Sequence, residues 1–215
     1  GAEGDDRLFG SPAPDVYVGG SGNDILMASG GHDSVVGGDG DDVLMYRGTN
    51  NADRIEFRAE TDNISGGSYA TIYINNSLRG NLTDVDVESI GVDAAGGDDT
   101  ITADFGNLAV ANLYILAGEG NDYVDLRTIQ SNAFVDGQEG NDTLIGGLGN
   151  DKLLGGSDDD EIFGNEGDDS LWGGEGNDRI FADSGNDVIL GNEGNDTLSG
   201  GNDSDRIEGG AGDDQ

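Results

Sequence analysis

Residues 137–208 read, in rows of nine, GQEGNDTLI, GGLGNDKLL, GGSDDDEIF, GNEGDDSLW, GGEGNDRIF, ADSGNDVIL, GNEGNDTLS and GGNDSDRIE. Each row has Asp at its sixth position: Asp142, Asp151, Asp160, Asp169, Asp178, Asp187, Asp196 and Asp205, with Asp214 in the same register beyond them. Only 34 of the 215 residues are Asp, so eight in register arise by chance on the order of a few times in ten million. Position eight is as regular, reading Leu144, Leu153, Ile162, Leu171, Ile180, Ile189, Leu198 and Ile207. One inward apolar residue in each three-residue strand, after a six-residue turn rich in Gly, is a solenoid pattern. A helix would repeat every 3.6 residues and would not tolerate two or three Gly in every nine.

Working outward, residues 1–45 form five rows of the same kind, with Asp6, Asp15, Asp24, Asp33 and Asp42 at position six and Leu8, Tyr17, Leu26, Val35 and Leu44 at position eight. Residues 46–80 break the pattern and carry four Arg against four acids, so the whole net charge of −36 lies elsewhere. Within them Arg54-Ile55-Glu56-Phe57-Arg58 alternates with period two, Ala70-Thr71-Ile72-Tyr73-Ile74 is a second β-rich run, and turn residues lie between. This predicts an antiparallel hairpin. The Asp motif returns in 94–102 and 117–125, with steps of 23, 20 and 18 residues from Asp99 to Asp122, Asp142 and Asp160. Since 18 is twice nine, wide coils narrowing into a regular roll are expected. The blocks are 1–45, a non-repeat β insertion at 46–93, an irregular wide-coil stretch at 94–136 and 137–215, read as one continuous elongated domain. Gly1 and the mid-repeat Gln215 read as cuts in a longer protein.

Composition narrows the function. Gly at 41 residues without a Gly-X-Y period and with two Pro excludes collagen, and the absence of Cys excludes a disulfide scaffold and a Cys-ligated zinc site. A charge of −36 argues against nucleic acid, because binding phosphates requires Lys and Arg. The longest apolar run, Leu108 to Ala117, is far short of the roughly 20 residues a bilayer span needs. So acidic and polar a chain would be disordered unless bound cations neutralised it.

Calcium fits that requirement. It takes six to eight oxygens from carboxylates and carbonyls, and a turn of type Gly-Gly-x-Gly-x-Asp offers both kinds, Gly allowing the positive φ that aims carbonyls at one point. If two units make one coil, turns 18 residues apart stack, so that Asp6 meets Asp24, Asp24 meets Asp42 and Asp142 meets Asp160. Counting gaps between stacked turns predicts about ten ions, which would remove about 20 negative charges.

The rows resemble the RTX (hemolysin-type) calcium-binding nonapeptide, GGxGxDxUx, closely in 1–45 and 137–214 and loosely in 94–125. The resemblance implies an all-β parallel β-roll with ions between turns. Its ligands would be the side chains of Asp6, Asp24, Asp33, Asp42, Asp99, Asp122, Asp142, Asp151, Asp160, Asp169, Asp178, Asp187, Asp196, Asp205 and Asp214. Carbonyls of Gly20, Gly22, Gly38, Gly40, Gly147, Gly149, Gly156, Gly174, Gly176 and Gly194 would complete the shell. It further implies a bacterial protein exported by a type I system, secreted or at the cell surface, and folding only outside the low-calcium cytosol. Pro12 and Pro14 depart from the pattern, so weak or missing ions are expected beside them, and Asp158 and Asp203 replace Gly at position four.

Position nine is apolar, from Phe9, Val18, Met27, Val36 and Met45 to Trp172, Phe181 and Leu190. Such outward rows suit a strand or mark contact with another chain or a polysaccharide. His32, at variable position five, reads as an exposed turn residue, and the Asn-x-Ser/Thr tripeptides at Asn63, Asn75 and Asn81 as incidental. No nucleophile elbow, zinc-protease or Walker motif is present. The expectation is a non-catalytic calcium-binding module acting as a rigid scaffold. The alternatives are a calcium-dependent adhesion or self-assembly module, or an accessory domain of an exported hydrolase or polysaccharide-modifying enzyme.

Overall fold

The computed structural model describes residues 3–11, 13, 15–28, 34–39, 41–49, 51–61, 68–74, 77–82, 89–105 and 112–215. Described residues form strands and turns with no helix. A ten-stranded sheet stacks Arg7–Phe9, Ile25–Ala28, Val43–Arg47, Ser89–Asp93, Asn112–Glu119, Asn132–Glu139, Lys152–Ser157, Ser170–Glu175, Val188–Glu193 and Arg206–Ala211. Its neighbours are parallel throughout, and Val43–Arg47 pairs directly with Ser89–Asp93 across the non-repeat segment.

A second sheet of nine strands runs from Thr197–Ser199 through Arg179–Ser184, Glu161–Glu166, Thr143–Ile145, Tyr123–Asp125 and Thr100–Asp104 to Arg54–Thr61. Those strands are parallel, and Arg54–Thr61 then pairs antiparallel with Ser68–Ile74. The expected hairpin is present, and a third antiparallel strand, Ser77–Leu82, extends it. Its turn at 63–67, with Asn63 and Asn75, lies outside the described residues, as do His32, Pro12 and Pro14. A separate pair, Val16–Ser21 and Ser34–Asp39, is also parallel. The fold is a parallel β-roll: successive nonapeptides alternate between facing sheets, and coils stack at 18 residues per turn.

The core follows from position eight. Leu26, Leu44, Leu144, Leu153, Ile162, Leu171, Ile180 and Ile189 are fully buried between the sheets, each above its counterpart one coil away. Burial of each Leu or Ile contributes roughly 1.5–3 kcal/mol. The file weakens at the last coil, where Ile207 is 47% exposed. In the wide coils Leu126 and Ile129 fill the same space from irregular backbone.

Position four sets the coil spacing. Gly176 holds φ of +133° with the Asp158 carbonyl directly beneath it, where a side chain would stand. A β-branched residue is a steric outlier at such φ. Gly176→Val is expected to cost about 1–3 kcal/mol, read as a lower thermal midpoint at saturating calcium, with Ser157→Ala as the near-neutral control.

Candidate metal centre

Among the described residues, the Asp at the entry to a strand closes its turn, and in two long files its carboxylate accepts a bond from the neighbouring coil. On the edge preceding the ten-stranded sheet, the Asp6 N–H donates to Asp24 Oδ1 at 2.8 Å and the Asp24 N–H to Asp42 Oδ1 at 2.9 Å. The same file resumes with the N–H groups of Asp151, Asp169 and Asp187 donating to Oδ1 of Asp169, Asp187 and Asp205. On the opposite edge a file runs from Asp53 through Asp99, Asp122, Asp142, Asp160, Asp178 and Asp196 to Asp214 by the same bond. Steps of 46, 23, 20 and 18 residues all close onto it, so the file stays in register while the loops between coils vary.

The second oxygen is the unusual one. Oδ2 of Asp24, Asp99, Asp122, Asp142, Asp160, Asp169, Asp178, Asp187 and Asp196 is buried and has no hydrogen-bond partner. Burying a carboxylate oxygen without a partner costs several kcal/mol unless it is neutralised. Burial accordingly pushes Asp99, Asp142 and Asp169 up to about 7, Asp160 up to about 8 and Asp178 up to about 6, against the pull of the N–H each accepts. Asp122, Asp187 and Asp196 are raised for the same reason.

Backbone strain accompanies these oxygens. The residue four before the Asp has positive φ not only at Gly118, Gly156 and Gly174 but at Ala95, Gln138, Asn165, Asp183 and Asn192. A non-Gly residue held there costs of order 1 kcal/mol or more. Unsatisfied anionic oxygen and strained backbone thus occur together in one turn after another. A hard dication that draws carboxylate and carbonyl oxygens together fits both. Among the described residues no three acidic or imidazole side chains converge on one point, so backbone carbonyls and water would supply the other ligands.

The RTX calcium-binding nonapeptide repeat matches residues 9–44, 18–52, 132–162, 154–189 and 181–215, more than half of the chain. The chain belongs to the RTX calcium-binding repeat family. RTX repeats bind calcium, and the RTX roll here is a calcium-binding scaffold. No curated protein matches the chain.

Of the carbonyl positions expected from the resemblance, Gly20, Gly22, Gly156, Gly174, Gly176 and Gly194 lie in RTX turns with positive φ, and Gly38 pairs with Gly20 in adjacent strands. Gly40 and Asp33 lie outside the described residues. Gly147 and Gly149 do not take positive φ, and the Gly147 carbonyl accepts the Glu166 N–H at 3.3 Å. Asp205 and Asp214 end their files with Oδ1 bonded.

Position five also joins the coils. Oδ1 of Asn121, Asn141, Asp159, Asn177 and Asn195 accepts the N–H of the position-five residue one coil later, at 2.7 to 3.1 Å. Asn132, Asn150 and Asp168 do so on the other edge. These bonds hold Asp159 and Asp168 below the usual carboxylate range. The signal was available in the sequence, where rows 137–199 carry only Asn or Asp at position five. Both side chains present the one acceptor oxygen the file needs, and interspersed Asn spares it like-charge repulsion.

Proposed function

We propose that this RTX roll is a calcium-folded, non-catalytic module of a secreted or cell-surface protein, ordered at neutral pH only where calcium is abundant. The supporting observation is the set of buried, unpartnered Oδ2 atoms: ion-free and ionised, they repel one another between neighbouring coils, and with ions they join neighbouring turns. Position-six Asp side chains would hold the ions, with turn carbonyls completing the shell, about ten in all. Because coupled folding sets the affinity, the module would act as a rigid scaffold and as a switch between calcium-poor and calcium-rich compartments. Calcium titration of chelator-treated protein, followed by circular dichroism and light scattering with magnesium in parallel, tests this. A coil-to-β transition with calcium and none with magnesium is expected. A chain already fully β in chelator would reject the switch.

A second reading, adhesion or self-assembly, is supported by the outer face of the ten-stranded sheet. Gly91 lacks a side chain, and a groove of about 360 Å³ opens among Ile25, Met27, Val43, Met45, Tyr114 and Phe134. Beyond it Lys152 lies 4.2 Å from the ring centre of Trp172 and 5.6 Å from that of Phe134. Calcium-dependent growth in mass, or retention on a polysaccharide, would favour this reading.

A further inference from the structure

Not every Asp at the entry to a strand is built like its neighbours. At Asp151, Oδ2 accepts the Gly147 N–H at 2.5 Å. At Asp53 it accepts the Thr49 N–H at 2.7 Å and the Thr49 hydroxyl at 3.1 Å, and at Asp15 the Ser11 N–H at 2.7 Å and the Ser11 hydroxyl at 3.0 Å. The donor is in each case the residue four before the Asp. Where Oδ2 is unpartnered, as at Asp24, Asp99, Asp122, Asp142, Asp160, Asp169, Asp178, Asp187 and Asp196, that residue has positive φ; Ser11, Thr49 and Gly147 do not.

We infer that the sign of φ four residues before the Asp sorts the turns into two chemical kinds. Open turns, with positive φ, turn the N–H away and leave Oδ2 for a calcium ion. Closed turns point the positive end of an N–H at Oδ2, giving it a partner within the turn and opposing a cation at the same place. Asp15, Asp53 and Asp151 are therefore ion-free turns, although Asp15 and Asp151 lie within the family match. Asp99 and Asp122, outside that match, are ion sites. Below Asp151, Oδ1 accepts the Ala133 N–H rather than that of another Asp, and the run of bonds that reaches Asp205 resumes there. The Asp151 turn is a metal-independent cap on which the ion-bearing coils as far as Asp205 stack.

The inference rests on the calcium reading above, and ion counting separates the two. Native mass spectrometry at saturating calcium, with folding checked by circular dichroism, is expected to give Asp53→Asn and Asp151→Asn the ion count of the unaltered chain, and Asp122→Asn and Asp169→Asn at least one ion fewer. Loss of an ion in Asp53→Asn or Asp151→Asn, or none lost in Asp122→Asn, overturns the sorting. An unaltered chain that binds no calcium overturns both readings. Should the closed-turn variants fail to fold, anomalous scattering from terbium in crystals of the unaltered chain decides. Peaks are expected beside Asp122 and Asp169, and a peak beside Asp53 or Asp151 refutes the sorting.

Discussion

Stripped of calcium at about pH 7.5, the chain is expected to lose its β-sheet circular dichroism and to regain much of it on acidification to about pH 5. The sign follows from the direction of the shifts. Asp99, Asp142, Asp160, Asp169 and Asp178 have folded-state values of about 6 to 8, against 3.8 for an exposed Asp. Between these limits the folded chain holds more protons than the unfolded one, so stability is fully present below about 3.8 and is lost as pH rises through about 6 to 8. Halving the shifts for solvent that reaches the turns still leaves a neutral-pH cost on the order of 10 kcal/mol. That is comparable with the whole stability of a domain, about 5–15 kcal/mol. Asp159 and Asp168, held low by their Asn partners, act oppositely and withdraw their support only below the normal carboxylate range, so the acid-folded window is bounded on both sides. Calcium reverses the main trend, because its ligands must be ionised, and loaded protein is expected to be most stable near neutral pH. Circular dichroism against pH, with and without chelator, checks both arms. A chelated chain whose stability rises from pH 5 to 7.5 would contradict the burial argument.

Leu171→Ala is expected to cost about 2–5 kcal/mol at saturating calcium. Leu171 is fully buried, with Leu153 and Ile189 directly above and below it in register. A roll cannot close around such a gap, because the hydrogen bonds of both sheets and the Asp files fix the coil spacing. Each coil touches only its neighbours, so the loss falls on one interface of a nearly one-dimensional stack. The transition is expected to split, with the coils beyond residue 171 melting first. Ile207→Ala, at a position already 47% exposed, should change stability by less than about 1 kcal/mol. Thermal unfolding with limited proteolysis checks both, and equal losses would show that the last coil is as firmly held as the middle.

The period of nine made the roll legible because each function falls on its own position: turn, carboxylate, inward Leu. The alternation at 54–58 and 70–74 likewise revealed the antiparallel strands, but no period marked Ser77–Leu82 as their third partner. What stayed hidden depends on neighbouring coils rather than on the row itself. GGLGND at 146–151 matches the repeat better than GGSDDD at 155–160, yet the first turn is closed and the second open. The difference lies below it, where the irregular coil carrying Leu126 and Ile129 offers the Ile129 carbonyl to the Leu148 N–H at 2.7 Å and so fixes the backbone the other way. Gly, free to take either sign of φ, transmits that choice instead of making it.

The two side-chain files also run in opposite senses. A position-six N–H donates to the carboxylate of the coil after it, whereas a position-five oxygen accepts from that later coil. Under tension along the roll, every junction is therefore shackled from both sides, in addition to the two parallel ladders. Rupture must break these bonds together at one junction, after which the detached coil keeps no partner of its own. The roll behaves as a brittle stack with a high threshold at each step, yielding coil by coil from an end rather than stretching along its length.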